Sequence, residues 1–196
     1  MEVSNQRREE PMKQARMPWR LATAVLLMAG LGAVSAFGQT FAASGTTTLS
    51  VSVAAEASIS IGTSTTTLSS TPGLFADYTG TTNFTYKIRT TLSGGTGTVN
   101  VQITSDFACA GGPCVASPPS AGDALTYNCT VASPGTACSG PVTALTTGTT
   151  SVATFGADAR SAKAGNSGSV AWTLTNDPAY KTGPYSATAT FTISAT

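Results

Sequence analysis

A chain of 196 residues with ten basic side chains, nine acidic ones and no histidine fits one domain plus a processed leader and excludes a second large core. From residue 37 onward six carboxylates (Glu56, Asp77, Asp106, Asp123, Asp158, Asp177) stand against five cations (Lys87, Arg89, Arg160, Lys163, Lys181), a balance of minus one. Such a surface offers no run of Lys and Arg for nucleic acid or anionic lipid, so neither is expected as a partner.

The first twenty residues hold five of the ten basic side chains, Arg7, Arg8, Lys13, Arg16 and Arg20. A charge-free run from Leu21 to Val34 follows, broken only by Thr23 and containing Gly30 and Gly32. A basic segment, a short apolar core and the small residues Ser35 and Ala36 form the three parts of a cleavable secretory signal. Residues 1–36 are therefore expected to be a signal peptide, with cleavage after Ala36 or, alternatively, after Ala42 or Ala43. The apolar run is too short for a spanning helix, which needs about 20 such residues. No stable membrane span is expected after processing, and the product should be secreted, periplasmic or held at the cell surface.

Residues 37–48 read as a short polar lead, and residues 49–196 as a single domain. In the latter, Leu49, Val51, Val53, Ala55, Ala57, Ile59 and Ile61 alternate with mostly polar neighbours. A period of two places one face of an extended strand in a core and the other in water. Thirteen residues at about 3.3 Å each are twice a usual strand, so a bend is expected near residues 54–57. Residues 63–80 read as a long loop with at most one short strand.

Phe84, Tyr86, Ile88 and Thr90 form the next alternating run and Val99, Val101 and Ile103 another, with the turn residues Ser93 to Gly97 between them. This arrangement predicts a hairpin. Further strands are expected at Leu125 to Val131, Val142 to Leu145, Val152 to Phe155, Val170 to Leu174 and Tyr185 to Ile193. Ser and Thr supply 54 of the 160 residues from Phe37 onward, which suits strands with hydroxyls on the wet face. Seven to nine short strands and no amphipathic helix predict an all-β, antiparallel two-sheet sandwich of immunoglobulin-like type. A closed barrel is the competing solution.

All four cysteines, Cys109, Cys114, Cys129 and Cys138, lie beyond the leader, where an oxidising compartment pairs them. Of three connectivities, the short loops favour Cys109 with Cys114 and Cys129 with Cys138. Zinc held by four cysteines needs pairs separated by two to four residues, and eight residues separate Cys129 from Cys138.

The missing histidine removes the usual general base and the commonest metal ligand. A Ser with Lys87, Lys163 or Lys181 as base has no supporting local pattern. The carboxylates are scattered, no glycine loop opens a helix, and calcium would lack a ligand cluster. No catalytic, cofactor-binding or metal residue is therefore expected, and the chain reads as non-enzymatic. Trp172 shares a face with Val170 and Leu174 and reads as core. Tyr78 and Tyr180 fall in expected loops and are the candidates for exposed contact. Asn83 and Asn128 match the glycosylation acceptor pattern but lie inside expected strands.

A terminal strand with clean alternation can pair within its own sheet or with another molecule's sheet. With the leader, Leu49 to Val53, Gly62 and the closing segment from Gly183 to Ile193, the chain loosely resembles exported β-sandwich proteins of the spore coat protein U and chaperone-usher pilin type. The resemblance implies a subunit of a surface filament or coat, escorted by a periplasmic chaperone. Pilins of that type often carry a Tyr next to the last position, whereas Ser194, Ala195 and Thr196 stand here. The expected function is a structural or adhesive surface protein, a pilus, coat or matrix subunit that associates with itself or with other surface subunits by strand pairing. The alternative is a monomeric carbohydrate-binding module using Tyr78 and Tyr180.

Overall fold

The computed structural model describes residues 44–196. The expected signal peptide, its cleavage sites and most of the polar lead lie outside the described residues. Leu49–Thr196 form one compact unit with ten strands and, among the described residues, no helix. The strands are β1 (Glu56–Ile61), β2 (Ser69–Ser70), β3 (Tyr78–Arg89), β4 (Gly97–Ser105), β5 (Thr126–Val131), β6 (Thr136–Ala137), β7 (Val142–Thr143), β8 (Thr150–Phe155), β9 (Asn166–Leu174) and β10 (Thr188–Ala195). They form two antiparallel sheets. One has the order β1-β3-β9-β5-β7 with β2 also on β3, and the other the order β10-β4-β8-β6.

The core follows from period-two burial. On β3, Thr82, Phe84, Tyr86 and Ile88 point inward while Thr81, Asn83, Thr85 and Lys87 point out. Val99, Val101 and Ile103 on β4 and Val170, Trp172 and Leu174 on β9 supply the facing layer and the centre of the first sheet. Gly168 is required beneath the ring of Phe84, because a Cβ there would collide with the ring carbons. Two large polar side chains of the core, Trp172 and Tyr127, have hydrogen-bond partners, as burial demands. Trp172 Nε1 donates to Thr82 Oγ1 at 2.9 Å. The Tyr127 hydroxyl on the first sheet lies 2.7 Å from Thr150 Oγ1 and 3.0 Å from the Ser151 carbonyl on the second, tying the layers together.

Three expectations need correction. The long strand from Leu49 to Ile61 exists only over Glu56–Ile61. Its partner β3 ends at Arg89, which lies opposite Glu56, so residues 49–55 have no backbone beside them in sheet register. The expected hairpin is also absent. β3 and β4 belong to different sheets, and residues 90–96 carry the chain across the sandwich, a gap of about 10 Å that a two-residue turn does not bridge. Alternation alone does not distinguish these cases, since both strands aim their apolar faces at the same core. Finally, the last strand starts at Thr188 rather than Tyr185, and two-residue strands such as β6 bring the count to ten.

Candidate functional site

Three features lie at the margins of the sandwich, the first being the unpaired segment at residues 49–55. Leu49, Val51 and Val53 are 92%, 86% and 63% exposed, although their spacing matches that of a core strand. The segment leaves the fold where Arg89 Nε donates to the Ala54 carbonyl at 2.7 Å and Arg89 Nη2 meets Glu56 Oε2 at 3.1 Å.

The second feature is the free side of β10. β10 pairs with β4 along eight residues and, among the described residues, has no strand on its other side. Its inward residues Phe191, Ile193 and Ala195 stay only half-buried, because the second sheet stops there. Next to this edge β1 touches β10, and the ring of Phe191 lies 6.1 Å from that of Phe84.

Beyond that contact the two sheets part, and a groove of about 1080 Å³ opens toward the Tyr78 end. Ile61 and Leu68 form one wall, Ala189 and Phe191 the other, and Trp172 and Leu174 lie among the lining residues. A half-open core of this kind presents apolar surface together with unpaired main-chain groups on β10, the combination that an added strand satisfies.

Tyr78 and Tyr180 are both half-buried and line this groove. Tyr78 is the first residue of β3, opposite Ser70 and Leu174, and is half-buried against the core. Tyr180 also lines the groove, with its hydroxyl buried and without a hydrogen-bond partner. Burial, followed by the negative charge of Asp123, pushes the Tyr180 hydroxyl well above its ordinary value.

The cysteines bond Cys109 to Cys114, with Cα atoms 5.1 Å apart, and Cys129 to Cys138, with Cα atoms 5.5 Å apart. Asp106 lies beside the first bridge, and its carboxylate and the two sulfurs fall within 4.8 Å of one another. The cluster organises a loop instead of offering metal ligands. The sulfurs are bonded to each other, and the carboxylate accepts from the backbone N–H groups of Phe107 and Val115 at 2.8 Å and Ala116 at 2.9 Å. Asp177 accepts from Ala179 N at 2.6 Å, and that bond, with help from the Ser120 side chain, holds its carboxyl below the usual range.

The third feature, at the opposite end of the fold, is a cluster of cations. Thr90 N donates to Ala159 O and Ser161 N to Ile88 O, both at 3.0 Å. These bonds lay residues 159–161 against the end of β3 and set Arg160 opposite Arg89. Lys87, Arg89, Arg160 and Lys163 then line one shallow cleft of about 400 Å³. Sequence inspection misses this cluster because more than seventy residues separate its two halves. It misses the exposed segment because Leu49 and Val51 carry the same period as Ile59.

No family model, curated protein or solved structure matches the chain, so the likeness to coat and pilin proteins rests on strand pattern alone.

Proposed function

We propose that this chain is an exported, non-enzymatic structural subunit of a surface assembly, and that copies join when residues 49–55 of one add to the free side of β10 on the next. The observation that carries this reading is the coincidence in one molecule of an exposed strand-patterned segment and an edge that lacks a strand. Residues 49–55 extend over about 23 Å at 3.3 Å per residue, close to the length of the eight-residue β10.

Burying Leu49, Val51 and Val53 in the groove contributes about 1.5 to 3 kcal/mol each. Ordering seven residues costs roughly 1 to 2 kcal/mol apiece. Apolar contact alone therefore does not hold the joint, and the main-chain bonds to β10, worth about 0.5 to 1.5 kcal/mol each, are needed as well. The two disulfides accord with an oxidising compartment outside the cytoplasm. Removing residues 49–55 from the processed chain tests the reading. The intact chain should form polymers by size exclusion and electron microscopy, and the shortened chain should stay folded by circular dichroism but monomeric. A processed chain that remains strictly monomeric at high concentration contradicts it.

A further inference from the structure

The side-chain charges of the described residues divide between the two ends of the sandwich. At the Arg89 end stand Lys87, Arg89, Arg160 and Lys163 with Glu56 and Asp158, four cations against two carboxylates, or plus two. Arg89 is bridged to Glu56 and Arg160 to Asp158. Among the described residues Lys87 and Lys163 have no carboxylate in salt-bridge reach.

The other end holds the reverse. Asp77 precedes β3, Asp106 follows β4, Asp123 precedes β5 and Asp177 follows β9. The register sets these strand ends together, with Tyr78 opposite Leu174 and Thr126 opposite Thr173. β4 runs back from the Arg89 end, so Asp106 arrives at the Tyr78 end as well. With Lys181 the sum is four carboxylates against one cation, or minus three. Twelve residues of β3 separate the two ends, about 40 Å at 3.3 Å per residue and several Debye lengths at 0.1 M salt. Each end thus acts on a partner by its own sign.

The two apolar features divide in the same way. Residues 49–55 leave at the Arg89 end, beside the cations, and the groove opens at the Tyr78 end, beside Asp177. We propose that the partner of the basic end is the acidic end of a second copy of this chain, so that charge aligns the copies head to tail before the strand is added. This inference rests on the strand-joined assembly proposed above and adds its direction and its salt dependence. A contact between unlike ends is not used up in a two-fold dimer, so each copy can add to the next and build a ring or a filament. Complementary patches act mainly on the encounter rate, by about ten- to a thousandfold, and salt removes that gain.

The test measures assembly rate by light scattering on the processed chain with residues 49–55 intact. For the unaltered protein the rate should fall at least about tenfold between roughly 20 mM and 500 mM salt. A Lys87→Glu, Lys163→Glu chain has two negative ends, and an Asp77→Lys, Asp177→Lys chain has two positive ends. Each alone should assemble at least about tenfold more slowly than the unaltered protein at low salt, and an equimolar mixture should recover the rate by alternating. Should Asp177→Lys disturb its loop, Asp77→Lys alone, which takes that end from minus three to minus one, should still assemble more slowly than the unaltered protein at low salt.

If the unaltered protein assembles at a rate indifferent to salt and to both reversals, the charge alignment is wrong while the strand-joined reading survives. A mixture as slow as its components also overturns the alignment. An unaltered protein that does not assemble at any salt concentration overturns both.

Discussion

Arg89 donates from Nε to the carbonyl of Ala54 at 2.7 Å, and this bond fixes the point at which a paired strand becomes a free one. On one side of it Glu56 faces Arg89 in sheet register; on the other, Val53 and its neighbours extend into solvent. The guanidinium also reaches Glu56 Oε2, so a single fork sets the exit direction of residues 49–55.

Lysine keeps the charge at this position but not the fork. Arg89→Lys should therefore leave the encounter between copies salt-dependent while weakening the finished joint. Its effect on the stability of the isolated subunit should stay under about 1 kcal/mol, since exposed pairs contribute little. Dissociation rates of preformed polymers, set beside a urea titration of the monomer, would separate the two effects.

Thr82→Val should be far more costly to the fold. It keeps the shape of the side chain but leaves the buried Trp172 Nε1–H, now 2.9 Å from Thr82 Oγ1, without an acceptor. An unsatisfied buried donor costs about 1 to 3 kcal/mol. The midpoint of denaturant unfolding should shift accordingly, with an unchanged slope.

The two bridges close loops of different length, five residues apart in sequence for Cys109 and Cys114 and nine for Cys129 and Cys138. Loop-closure entropy gives about 2 kcal/mol for the shorter and between 2 and 3 kcal/mol for the longer. Cys129→Ala with Cys138→Ala should lower stability by that larger amount. Cys109→Ala with Cys114→Ala should in addition loosen residues 106–116, visible as faster amide exchange at Val115 and Ala116.

Alkali should unfold the protein. The hydroxyls of Tyr86, Tyr127 and Tyr180 are raised above 10.0, in each case chiefly by burial. A raised value means that the native state holds its proton more tightly than the unfolded chain. The stability this supplies is complete below pH 10 and is lost as pH rises through the native values. Tyrosinate absorbance and loss of the strand signal in circular dichroism should therefore appear together above pH 10. Ionisation of these three residues with the fold intact would contradict the buried placement.

Much of the fold is legible in the residues, and the failures share one cause. The alternations at Phe84 to Thr90, Val99 to Ile103 and Val170 to Leu174 identify three core strands because each buries one face. The same period at Leu49, Val51 and Val53 identifies nothing buried, since alternation reports a capacity to pair and not the presence of a partner. Likewise, β3 and β4 look like a hairpin because their inward faces match, yet those faces meet across the core. The cationic cluster is invisible for a related reason. Lys87 and Arg89 become neighbours of Arg160 and Lys163 only when the backbone bonds from Ser161 to Ile88 and from Thr90 to Ala159 have formed.

Amide hydrogen exchange on residues 37–196, followed as the concentration is raised, tests the joint between copies most directly. The account predicts that residues 49–55 and the outward N–H groups of β10 gain protection together, at the same concentration, and lose it together when residues 49–55 are deleted. Residues 49–55 exchanging at the rate of a free peptide at every concentration, while the protein polymerises, would place the contact elsewhere and contradict the account.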